Sequence, residues 1–246
     1  MKRLRLSLLA LFPGKFLLPV SYNSIGMCLK PLDAIAISRL SPAVTCASCH
    51  GTHDIMPAAD STSRTYHLNL AATCGACHGS SGDGRVPGRE VLPVFDESIH
   101  GRALRRSGLL VAPTCTTRHG AHDITASTAP ASRTYRATVP TTCGSCHEGI
   151  KRVFDASVHG QQLASGNPRA PVCVSCHTTH AIRDSGQDGF RTQVIDRACG
   201  TCHRESLATY RDTFHGQVTK LGFAQVATCA DCHTAHEQYP KTDARS

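Results

Sequence analysis

Apolar residues fall in short runs along this chain, separated by polar stretches that carry glycine and proline. One run follows the basic residues Lys2, Arg3 and Arg5. It extends from Leu6 to Phe12 and is broken by Pro13-Gly14-Lys15 before Phe16-Leu17-Leu18. No run reaches the roughly 20 apolar residues that span a bilayer. Residues 1–42 therefore read as an N-terminal segment with a degraded signal peptide, a membrane anchor being the weaker alternative. A strand–helix–strand pattern is missing. The expected fold is mostly irregular, with short α-helices around recurrent cysteine motifs, long connections and little or no β-sheet. Gly79 to Arg89, rich in Gly, Ser and Pro, reads as a surface loop.

Composition explains why so little of the chain patterns as a core. Aromatic residues make up 5% of the 246, and tryptophan is absent, so hydrocarbon for a large interior is short. At 40% hydrophobic and 18% charged, the chain is not a low-hydropathy disordered one either. Cysteine and histidine are abundant instead, at 14 and 15 residues. Something other than side-chain hydrocarbon must fill the middle.

Twelve of the cysteines form six Cys-x-x-Cys pairs, namely Cys46/Cys49, Cys74/Cys77, Cys143/Cys146, Cys173/Cys176, Cys199/Cys202 and Cys229/Cys232. Each is followed at once by a histidine: His50, His78, His147, His177, His203 and His233. Cys-x-x-Cys-His is the c-type haem attachment motif. Two thiols add to the haem vinyl groups, and the adjacent histidine becomes the proximal iron ligand. Zinc ribbons separate their pairs by about 15–20 residues, whereas at least 22 intervene here. Neither zinc nor a disulfide scaffold calls for the following histidine. A seventh copy, Cys115-Thr116-Thr117-Arg118-His119, has Arg118 where the second cysteine belongs. A guanidinium forms no thioether, so this degenerate site reads as empty in preference to singly attached. Cys115 would then be a free thiol, as would Cys28.

The motifs repeat in units of two, spanning 69, 58 and 56 residues. This gives a first two-haem repeat at 43–112, a second with the degenerate motif at 113–170, a third at 171–226 and a one-haem half-repeat at 227–246. Odd motifs carry a histidine three residues on: His53, His122, His180 and His236. Even motifs read Cys-Gly-x-Cys-His and lead into a Ser/Thr-x-His-Gly element containing His100, His159 or His215. Ser63-Arg64-Thr65-Tyr66 recurs as Ser132-Arg133-Thr134-Tyr135. His67 stands alone. With three methionines, none at a repeated position, most irons should have two histidine ligands, without the potential-raising effect of methionine. The distal candidates are His53, His100, His159, His180, His215 and His236, ahead of His67 and His122. A histidine three residues past a proximal one reaches about 10 Å at most, so His53, His180 and His236 must serve a neighbouring haem. For the His-Gly histidines, the motif before and the motif after are both within reach.

These features resemble the bacterial multihaem c-type cytochromes, of the tetrahaem and class III type, over about residues 43–240. The resemblance rests on the six intact motifs, the Cys-x-x-Cys-His-x-x-His variant and the Ser-x-His-Gly element. It implies about six haem c groups packed as the interior, and export to the periplasm or beyond. It implies redox partner proteins: a membrane quinol-oxidising cytochrome, other cytochromes or a terminal reductase. Relatives of this kind carry a Ser-x-His-Gly element before the first odd motif, and Ser24-Ile25-Gly26 reads as its remnant without the histidine. That makes the first haem, on Cys46 and Cys49, the expected place for an open iron.

The net charge of +8 would favour an acidic partner or nucleic acid. The basic clusters are small, however, and haem propionates would offset much of the excess, so nucleic acid is discounted. The expected function is electron transfer in an anaerobic-type respiratory pathway. One alternative is a reductase of a small nitrogen or sulfur oxyanion with one open haem. Another is self-association as a subunit of a polymeric cytochrome wire, with a histidine such as His236 completing a haem in the next copy. A third is a decaying gene product.

Overall fold

The computed structural model describes residues 44–79, 90–223 and 225–246. The signal-peptide reading, Ser24-Ile25-Gly26, Cys28 and most of the Gly79–Arg89 insertion lie outside the described residues. The described chain is helical and irregular with no strand, 49% of it helix. Its elements repeat in the order that the motifs repeat.

Each odd motif is a five-residue helix: α1 (Cys46–His50), α5 (Cys115–His119), α9 (Cys173–His177) and α14 (Cys229–His233). Each even motif closes a helical stretch, in α2 (Leu70–His78), around α6 (Val139–Gly144), and across a π-helical turn (Ile195–Cys199) with α11 (Gly200–Cys202). A helical pair follows each even motif. The pairs are α3 (Val91–Glu97) with α4 (Ile99–Arg105), α7 (Glu148–Ala156) with α8 (Val158–Ala164), and α12 (Arg204–Arg211) with α13 (Phe214–Lys220). The third repeat also carries α10 (Asp188–Val194) before its even motif.

The Ser/Thr-x-His-Gly element is the corner of each pair. Ser98, Ser157 and Thr213 cap the second helix by accepting from the N–H of Gly101, Gly160 and Gly216 at 3.0, 3.2 and 3.1 Å. Each hydroxyl donates to the carbonyl of Phe95, Phe154 or Tyr210, so both orphan groups at the break are satisfied. The glycine is required because a Cβ there would lie 2.0–2.1 Å from that same carbonyl. The glycine of Cys-Gly-x-Cys-His has a parallel reason. A Cβ on Gly75, Gly144 or Gly200 would run into Leu92, Lys151 or Leu207 of the following helix.

Hydrocarbon burial is slight, as composition suggests. The buried apolar side chains are Ala71, Phe95, Leu104, Ala112, Val139, Phe154, Ala170, Val172 and Ile195, three of them alanines. Val111, Phe214, Leu221 and Phe223 stay largely exposed. Alternate repeats, the first with the third and the second with the terminal half-repeat, are joined by matching backbone bonds, Ile99 N–H to Ile182 C=O and Val158 N–H to Gln238 C=O, each at 2.8 Å. No helix among the described residues is long and apolar enough to cross a membrane.

Candidate functional site

The odd motifs share one local construction. The residue before the first cysteine (Thr45, Thr114, Val172 or Thr228) donates its N–H to the side chain of Ser48, Thr117, Ser175 or Asp231, the backward half of a capping box. The residue after the histidine is left-handed: Gly51 at φ 83°, Gly120 at 82°, Thr178 at 63° and Thr234 at 60°. This reversal carries the +3 histidine away from its own motif.

Its destination is the odd motif one unit upstream. His122 lies 6.0 Å from His50 between ring centres, His180 6.1 Å from His119 and His236 5.9 Å from His177, with ring planes 11–13° from parallel. Even motifs are served by the His-Gly histidines. His100 faces His147 at 6.1 Å and His159 faces His203 at 6.2 Å, both tilted by 46°. Each proximal histidine of these five pairs thus meets a histidine from another repeat. The joining bonds from Ile99 and Val158 fix this register, because each starts one residue before a His-Gly histidine and ends two residues after a +3 histidine.

The spacing is informative. A metal holds an imidazole nitrogen at about 2 Å, and that nitrogen is roughly 1 Å from the ring centre, so two axial rings on one iron have centres about 6 Å apart. Ordinary aromatic contacts spread over about 4.5–7 Å, and His177 on Phe190 sits at 5.3 Å. The five histidine pairs all fall between 5.9 and 6.2 Å. Among the described residues no three His, Cys, Asp or Glu side chains converge as they would around a bare metal ion. Two imidazoles at this spacing beside cysteine side chains would suit a haem as the group they hold.

Several placements differ from the expectations. His122, the weaker candidate because its motif is damaged, faces His50, so a second imidazole lies beside the first motif, where none was expected. His100 pairs with the motif at Cys143, beyond both sequence neighbours considered for it. His236 faces His177 within its own chain. His53 is exposed, 3.3 Å from the Thr52 hydroxyl, and His215 packs edge-on against Phe214. His67 lies 3.0 Å from the Ala112 carbonyl, joining two loops. Among the described residues no second histidine ring faces His233.

The cysteines are free at every motif position except one. The exception, Cys46, is disulfide-bonded. The first cysteines of consecutive even and odd motifs meet in hydrogen-bonded pairs: Cys74 with Cys115, Cys143 with Cys173, and Cys199 with Cys229. The second cysteines take no part in these pairs. Cys49, Cys77, Cys146, Cys176, Cys202 and Cys232 are all exposed, whereas Cys74 and Cys143, the first cysteines before Cys77 and Cys146, are half-buried. The same contrast holds at the later motifs, where Cys173, Cys199 and Cys229 are half-buried and Cys176, Cys202 and Cys232 are exposed.

Donation from the partner thiol brings Cys115 and Cys143 down to about 7 and Cys229 to about 6, while the donors are pushed up. The thiolate is the reactive form. Burial, aided by a neighbouring charge, lowers His100 to about 4. Burial moves His119, His159, His177, His180 and His236 in the same direction. These rings are therefore neutral at physiological pH, the form that ligates metals. No protein-family model, curated protein or solved structure matches the chain.

Proposed function

We propose that the protein is an exported electron carrier whose intact Cys-x-x-Cys-His motifs attach six haem c groups, most of them between two histidines. The observation that carries this reading is the set of imidazole pairs at 5.9–6.2 Å, which joins motif histidines to repeat histidines at four of the six intact motifs. Haem c, when bound, supplies reversible one-electron iron chemistry. The chain's residues hold it there: the cysteines fix the macrocycle, the proximal histidine takes one face, and the partner histidine closes the other. The contacts between Cys74 and Cys115, Cys143 and Cys173, and Cys199 and Cys229 set neighbouring attachment points side by side. Such closeness suits transfer between cofactors better than separate catalysis at each. The scarcity of buried hydrocarbon supports an interior made largely of cofactor.

Redox proteins of the cell envelope are the partners this function requires. The alternative, a reductase of a small nitrogen or sulfur oxyanion, needs an iron with an open position. The one observation that favours it is His233, which no second imidazole faces among the described residues. Cyanide and carbon monoxide decide between the two readings. A carrier keeps a low-spin ferric spectrum with no more than a minor ligand-binding fraction and no oxyanion turnover. Rapid oxyanion reduction at a ligand-accessible haem would establish the reductase.

A further inference from the structure

The third motif is missing one sulfur and is otherwise intact. Its helix Cys115–His119 has the same capping box and the same left-handed exit as the odd motif at Cys46, Gly120 at φ 82° matching Gly51 at 83°. The ring centres of His119 and His180 are 6.1 Å apart with planes 13° from parallel, close to the values of the two intact odd motifs that have partners. Cys115 meets Cys74 as Cys173 meets Cys143 and Cys229 meets Cys199. Beside these groups lies a cavity of about 390 Å³, lined by His119, His180, Cys115 and Arg118 and shared with Cys74 and His78 of the preceding intact motif. The Arg118 side chain has not closed it. Its guanidinium is held by the Thr179 carbonyl at 2.9 Å and by His100 Nδ1 at 2.7 Å. A site given up as a cofactor site has no reason to keep two facing imidazoles at the spacing of its neighbours.

We infer, resting on the haem reading above, that this site also holds a haem, ligated by His119 and His180 and attached through Cys115 alone. The reaction is an addition: the Cys115 sulfur bonds to a carbon of one vinyl group, its S–H bond breaks, and the hydrogen goes to the other vinyl carbon. No net oxidation occurs, provided that thiol and iron enter reduced. The second vinyl stays unsaturated because Arg118 offers no thiol.

The test uses full-length protein from a host that matures c-type haems, compared with Cys115→Ala and Arg118→Cys. Intact mass under denaturing conditions counts covalent haems, and digestion locates each one. The expected result is seven in the wild type, one on the peptide bearing Cys115, and six in Cys115→Ala. The wild-type pyridine haemochrome band is displaced towards longer wavelength by the remaining vinyl. That displacement vanishes in Arg118→Cys, which still carries seven. Six covalent haems in the wild type, with none on the Cys115 peptide, would overturn the single attachment and leave the haem reading intact. A product with no covalent haem would overturn both.

Discussion

Two histidines in equivalent sequence positions have different surroundings. His53 and His122 each stand three residues after a proximal histidine, yet only His122 faces another imidazole. Replacing His122 with Ala should therefore convert one iron from low-spin to high-spin and allow it to bind cyanide or carbon monoxide. His53→Ala should leave the ferric spectrum unchanged, and electron paramagnetic resonance of both variants checks the pair. The attachment residues are legible in the sequence, because thioether chemistry dictates Cys-x-x-Cys-His locally. Their cover is not: nothing in the motif says that Cys74 and Cys143 are half-buried while Cys77 and Cys146 are exposed. Nor are the histidine pairings legible. They depend on contacts between repeats, such as Ile99 N–H to Ile182 C=O, over a separation that leaves no local signature. His122 looks weak as a ligand because Arg118 damages its own motif, but its ring serves the preceding odd motif, where that loss has no effect.

At the level of the element, Ser/Thr-x-His-Gly is a helix corner that aims a ligand. Ser157 is fully buried and satisfies both the Gly160 N–H and the Phe154 carbonyl. Ser157→Ala should lower the stability of the holo-protein by about 1–2 kcal/mol, read as a fall in the thermal midpoint. Gly160→Ala is more severe, since its Cβ would meet the Phe154 carbonyl at 2.1 Å. The corner must open and swing His159 off His203, so the spectrum of that iron changes as well as the midpoint. Thr178 offers the opposite case. It holds a left-handed conformation that Gly51 and Gly120 adopt freely, and Thr178→Gly should gain up to about 1 kcal/mol. The repetition of these positions is visible in the sequence, and the Cβ and carbonyl distances supply the reason for it.

Across the whole molecule, the proposed function accounts for the shortage of hydrocarbon and the wealth of histidine together. A cluster of Ala71, Phe95, Leu104 and Ala112 is too little to order a chain of this length without help. Protein made in a host that cannot attach haem should thus show rapid amide exchange and quick proteolysis across the described repeats, while the holo-protein resists both. The helical, strand-free architecture follows from the motif spacing, whereas the closure of each site comes only from the assembled repeats. The most direct measurement of the central claim is the absorption spectrum and denatured intact mass of protein purified from a maturation-competent host. The account predicts a red protein with at least six covalent haems per chain and a low-spin, bis-imidazole signature. A colourless product that retains the mass of the bare polypeptide and reacts with thiol reagents at the motif cysteines would contradict it.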